Sequence, residues 1–198
     1  MRKTITALVL GVALASSAAL AATPQRVRGT IESVSGDTLT VATRSGQKTE
    51  VKLDPDLKVA SAAQSSFSDI KPDSYIGTAA APQPDGTLKA LEVTVFDPRM
   101  RGTGDGHYPW DLGANTTMTN GAVGALTGTN GRTMDVKYQG GEKQITVPED
   151  VPIVLLTPAD RSIVKPGART VVFAEQGADG NLVAKRMIVG VNGTVPPM

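Results

Sequence analysis

Cysteine is absent from the 198-residue sequence, and histidine and tryptophan occur once each. Without thiols there is no disulfide framework, iron–sulfur cluster, thiolate zinc site or cysteine nucleophile. A single imidazole excludes a multi-histidine metal site as well. Aromatic residues make up 4% of the chain, so any core must be built mainly from aliphatic side chains. The formal net charge is only +1 and no block of like charge stands out. Nucleic-acid binding, which relies on clustered Lys and Arg, is not expected. Beyond the N-terminal segment no apolar run approaches the roughly 20 residues a spanning helix needs, so no membrane span is expected in the mature chain.

What is present begins with an address. Arg2 and Lys3 precede an uncharged apolar run from Ile5 to Leu14, followed by small residues ending in Ala19-Leu20-Ala21. Charged, apolar and small-residue regions in that order form the pattern of a secretory signal peptide, expected over residues 1–21 with cleavage after Ala21. The mature chain of 177 residues is then exported, with a periplasmic location expected, and carries a side-chain charge of about −1.

The remainder repeats itself at an offset of about 94 residues. Gly29-Thr30-Ile31, Asp37-Thr38-Leu39-Thr40-Val41 and Glu50-Val51-Lys52-Leu53 have counterparts in Gly121-Ala122-Val123, Arg132-Thr133-Met134-Asp135-Val136 and Gln144-Ile145-Thr146-Val147. Further on, Asp85-Gly86 and Leu91, Val93 and Val95 correspond to Asp179-Gly180 and the run Lys185 to Val189. Two such units imply two small domains rather than a solenoid. Apolar residues alternate with polar ones in each, the period of half-buried strands, and Asp-Gly or Asn-Gly pairs at 85–86, 130–131 and 179–180 mark tight hairpins. Helical turns are expected only at Ser66–Ile70 and Pro158–Ile163. Met134 and Met187, which align with Leu39 and Val93, are expected in the core.

These elements predict an all-β protein: two tandem small OB-like β-barrels formed by an internal duplication and joined by an ordered Gly-rich linker. The boundaries are 22–97 for the first barrel, 98–117 for a linker strap and 118–198 for the second. The strand and turn pattern resembles an uncharacterised bacterial family of exported OB-like barrels, a domain of unknown function often found in tandem. The resemblance covers about residues 25–97 and 118–192 and implies the fold and export but no chemistry.

The linker gathers the rare residues: Met100, His107, Tyr108, Trp110, Leu112 and, at its end, Met118. A connection this long is usually either functional or disordered, and Trp and Tyr argue against disorder. One expectation is therefore a structural clasp, with Trp110, Tyr108 and Leu112 filling the space between the barrels. The other is a soft-metal site. Met100, His107 and Met118 are suited to Cu(I) or Ag(I), and the Trp110 ring is suited to capping the cation. That set resembles the His, Met and Trp ligands of the periplasmic copper/silver efflux chaperone, which implies metal binding or an accessory role in metal transport. Asp97, Asp105, Asp111 and Asn115 offer oxygen ligands but lack the spacing of a known Ca²⁺ loop. No nucleophile motif is present, and Glu92, Asp97, Asp105 and Glu175 show no pattern favouring catalysis over exposed charge. The sequence thus predicts a non-catalytic exported binding or interaction protein, its partner an unidentified envelope protein or a small ligand, with periplasmic Cu(I)/Ag(I) binding as the alternative.

Overall fold

The computed structural model describes residues 25–128 and 131–197. The signal segment at 1–21 and Asn130 of the expected Asn-Gly turn lie outside the described residues. Alternating burial along the chain produces strands throughout. They are β1 (Gln25–Ser35), β2 (Thr38–Thr43), β3 (Lys48–Gln64), β4 (Tyr75–Pro82), β5 (Leu88–Phe96), β6 (Gly106–Pro109), β7 (Thr117–Thr127), β8 (Thr133–Tyr138), β9 (Gly141–Thr146), β10 (Ile153–Ala159), β11 (Arg169–Gln176) and β12 (Leu182–Gly190). The only helical segments among the described residues are 3-10 turns at Phe67–Asp69, Pro98–Met100 and Arg161–Ile163, two of them within the stretches the sequence marks for helical turns. No helix among the described residues is long and apolar enough to cross a membrane.

Pairing closes the strands into rings. In the first, β1 pairs with β2, β2 with β3, β3 with β12, β12 with β11, and β11 returns to β1, a closed five-stranded barrel. In the second, β7 pairs with β8, β8 with β9 and β4 with both β5 and β7, and the ring closes through two β5–β9 residue pairs. The stretch 22–97 therefore supplies β1–β3 to one ring and β4–β5 to the other. The stretch 118–198 divides in the opposite sense. Neither closes a ring by itself, contrary to the expected sequential barrels, because the final hairpin of each crosses over to its neighbour.

The two halves are wired alike. A bulge falls between Ala79 and Ala80 in β4 and between Phe173 and Ala174 in β11, an offset of 94. The parallel pairs Lys89↔Thr146 and Val93↔Ile153 recur, at the same offset, as Val183↔Lys52 and Met187↔Val59. Between the rings β3 pairs antiparallel with β10, and Ala62 faces Leu156, its own counterpart 94 residues on. A local two-fold axis thus passes between these residues. β9 and β10 together occupy the place of the long β3; Pro148, which lacks an amide proton for a ladder, lies at the break.

Burial follows the pairing. Leu39, Val41, Val51 and Val59 meet Val172, Met187 and Val189 inside the first ring. Ile76, Val93 and Val95 meet Val123, Met134 and Ile145 inside the second. A third cluster lies between the rings and joins Ala60, Ala62 and Tyr75 to Phe96, Leu156 and Ile188, with Met100 and Phe173 against it. Both methionines assigned to cores by the sequence are fully buried.

Candidate ligand site

Residues 98–116 are not a structureless strap. They contain a 3-10 turn held by Asp97, whose carboxylate accepts from the Arg99 amide at 3.0 Å, then a loop, then β6. β6 joins the second ring by pairing with β7. Beyond β6, Trp110 and Asp111 reach the first ring. The Arg26 guanidinium stacks on the Trp110 ring with its central carbon 3.7 Å from the ring centroid. Arg28 donates both of its terminal nitrogens to Asp111 at 2.7 and 3.0 Å, and Arg26 adds an ion pair at 3.4 Å. Arg26 and Arg28 are two apart on β1, so strand alternation sends both to the outer face of the ring, where the strap passes. The segment therefore bridges the rings. Trp110 is half-buried, Tyr108 packs beside it at a ring separation of 6.0 Å, and Leu112 is exposed rather than inserted between the barrels.

The proposed metal ligands do not come together. On β6 and β7, His107 pairs with Thr119 and Tyr108 pairs with Met118. Neighbouring residues on a strand point to opposite faces, so His107 and Met118 are turned away from one another. The His107 ring stacks on Tyr138 at 5.9 Å, and its Nδ1 is 2.9 Å from the Thr119 hydroxyl. Burial, with a smaller contribution from the Lys143 charge, holds the imidazole pKa below its ordinary value. Met100 and Met118 instead face a groove between the rings. The acidic residues considered for a hard cation are each engaged elsewhere. Asp97 binds Arg99, Asp111 binds Arg28, and Asp105 accepts from the Tyr75 hydroxyl and the Gln139 amide. Glu92 is buried in β5 while Glu175 is exposed.

The groove that takes Met100 and Met118 has a volume of about 690 Å³, within the range of small-molecule sites. Its apolar walls come from Leu57 and Ala60 of β3, Phe96 of β5, Leu156 of β10 and Ile188 of β12; Tyr108 and Trp110 close it on the strap side. Of the residues lining it, Arg26, Trp110 and Asn120 each keep one polar atom covered by protein and without a hydrogen-bond partner among the described residues: Arg26 Nε, Trp110 Nε1 and Asn120 Oδ1. The Asn120 amide is oriented by donation from Nδ2 to the Thr103 carbonyl at 3.1 Å, and its Oδ1 is packed against Gly77 of β4, where an added Cβ would come within 2.5 Å of it. A buried donor or acceptor without a partner costs about 1–3 kcal/mol.

Charge in the groove has one sign. Arg26, Lys58, Arg99 and Arg186 line it, and among the described residues no Asp or Glu does. Three of the four lie in one cross-strand row with an aromatic residue: Arg26 pairs with Phe173, Phe173 with Arg186 and Arg186 with Lys58. Arg186 lies 5.0 Å over the Phe173 ring. Burial pushes the Tyr108 hydroxyl pKa up, while the charges of Arg186 and Arg26 oppose that rise, which puts both cations within electrostatic reach of the strap.

Sequence reasoning found Met100, Tyr108, Trp110 and Met118 by their rarity but missed Arg26, Lys58, Asn120, Phe173 and Arg186. The one available signal was that Arg26 and Asn120 are separated by the repeat offset of 94 residues, and both line the groove. No family model, curated protein or solved structure matches the chain.

Proposed function

We propose that this is an exported, non-catalytic binding protein that holds a small apolar molecule in the groove between its two rings. The observation that carries the reading is the groove itself: apolar walls with a few polar and charged side chains among them, which is the usual composition of a small-molecule site. Location outside the cytoplasm is supported by the signal pattern at residues 1–21. The rings are read as OB-type barrels of duplicated origin. With β11 and β12 counted as fourth and fifth strands, the order around the first ring is 1-2-3-5-4, and the matched bulges and registers support a common ancestor for the halves. In this reading exchange of the hairpins created the site, because the groove is lined by strands of both rings.

The test uses N-phenylnaphthylamine, a neutral apolar fluorophore, titrated into the mature protein. Saturable binding with energy transfer from Trp110, the only tryptophan, and its loss in Met100→Arg at an unchanged melting temperature are expected. Failure of the probe to bind saturably would overturn the proposal.

A further inference from the structure

Resting on that groove reading, we propose that Met100 is an oxidation site that controls the groove. Hydrogen peroxide converts its thioether to the sulfoxide, and the groove then releases its apolar occupant. The four methionines among the described residues differ sharply in access. Met118, Met134 and Met187 are 2%, 0% and 1% exposed. Met100 is only half-buried and lines the open groove, so an oxidant reaches it without unfolding the chain.

Its place in the fold makes the change consequential. The Met100 amide donates to the Asp97 carbonyl at 2.8 Å, and its own carbonyl accepts from the Thr103 hydroxyl at 2.6 Å. The backbone is thereby fixed in the 3-10 turn, while the side chain packs against the cluster of Phe96, Leu156 and Ile188. In the reaction the sulfur lone pair attacks one oxygen of the peroxide, and an S–O bond forms as the O–O bond breaks. The departing hydroxide takes the proton of the new S–OH group and leaves as water. Sulfur gives up two electrons and the peroxide accepts them. A flexible apolar side chain has become a polar one with a hydrogen-bond-accepting oxygen.

The lining suits that oxygen. Its charged members are Arg26, Lys58, Arg99 and Arg186, side chains that donate and cannot accept, and among the described residues no Asp or Glu lines the groove. A sulfoxide on Met100 therefore finds donors within the groove, where it replaces hydrocarbon against which an apolar molecule would lie.

The mature chain is treated with hydrogen peroxide, mapped by mass spectrometry after chymotrypsin digestion, and titrated with N-phenylnaphthylamine. Met100 is expected to gain one oxygen at least about tenfold faster than Met118, Met134 or Met187. The chain oxidised at Met100 is expected to keep a cooperative melt and to bind the probe about tenfold more weakly. Met100→Gln, an uncharged mimic of the sulfoxide's polarity, should bind as weakly as the oxidised chain. Met100→Leu, whatever its starting affinity, should bind equally before and after peroxide, which separates Met100 from Met198. The proposal is overturned, and the groove reading stands, if Met100 reacts no faster than the three buried methionines, if its sulfoxide leaves probe affinity unchanged, or if peroxide still weakens binding in Met100→Leu. If the untreated chain does not bind the probe, both fall.

Discussion

Cutting the chain between its two halves offers the sharpest test of the exchanged hairpins. A fragment spanning residues 22–97 contains β1–β3 and β4–β5 but lacks β11 and β12, which close the first ring. The core of that ring loses Val172, Ala174, Ala184, Met187 and Val189, all buried in the whole protein. Burying a Val or Met side chain stabilises by about 1.5–3 kcal/mol, so Val172, Met187 and Val189 alone account for roughly 5–9 kcal/mol. That is comparable with the whole stability of a typical domain, roughly 5–15 kcal/mol. β1 and β3 are also left with open edges. The fragment is therefore expected to show no cooperative melt as a monomer at low micromolar concentration. Light scattering coupled to size exclusion, with far-ultraviolet circular dichroism, reads this directly. Adding the fragment 98–198 should restore a cooperative transition. A monomeric 22–97 fragment with a sharp melt would refute the reasoning, since it would mean that β4–β5 closes on β1–β3.

Other expectations follow from single contacts. A methyl group on Gly29 would overlap the Ala42 carbonyl, and one on Gly121 the Lys137 carbonyl, so Gly29→Ala and Gly121→Ala should each cost about 1–3 kcal/mol or more in denaturant unfolding. An unchanged midpoint would show that the strands can separate without loss. The Arg28–Asp111 pair is partly exposed, so Asp111→Asn should cost about 1 kcal/mol or less in global stability while shifting Trp110 emission to the red. Asp111 has its carboxyl pKa lowered by the Arg28 hydrogen bond and by the charges of Arg28 and Arg26, against burial. Its contribution is present above the unfolded value near 3.8 and is lost as pH falls through the lower folded value, so the emission shift should appear only in that acid range. His107 titrates in the same sense at higher pH. Its folded pKa lies below the ordinary 6.5, so the unfolded chain binds the proton first and stability declines as pH falls below 6.5 toward the folded value. His107→Gln should flatten the melting temperature over that interval, and an unaltered profile would show that the imidazole is not desolvated.

Much of the local structure was written in residue order. Alternation at Leu39 and Val41, Val51 and Leu53, and Ile145 and Val147 specifies strands because each strand hides one face, a requirement that acts between neighbours in the chain. The Asp-Gly pairs give turns because Gly86 and Gly180 adopt positive φ, where a side chain would be strained. The strap betrayed itself through composition, as Trp and Tyr in a linker need something to pack against. The soft-metal triad does not assemble, for a related local reason. Rarity drew attention to His107 and Met118, but pairing of β6 with β7 placed them on opposite faces.

The exchange of hairpins was beyond the reach of local pattern. β4–β5 and β11–β12 carry the same bulge and the same registers 94 residues apart, so nothing in either hairpin names the ring it must close. The decision rests with β3, 17 residues long and roughly 50 Å when extended. It pairs with β2 and β12 in the first ring and runs on to pair with β10, which delivers the chain to the second ring before β4 begins. The groove is a consequence of that path. Arg26, Phe173, Arg186 and Lys58 are dispersed in sequence, and only the order β1-β11-β12-β3 makes them one row. Sequence by itself therefore determined strands, turns and the segment that would be unusual. Tertiary pairing decided which strands share a ring and which cations face the apolar wall, because both depend on contacts between residues far apart in the chain.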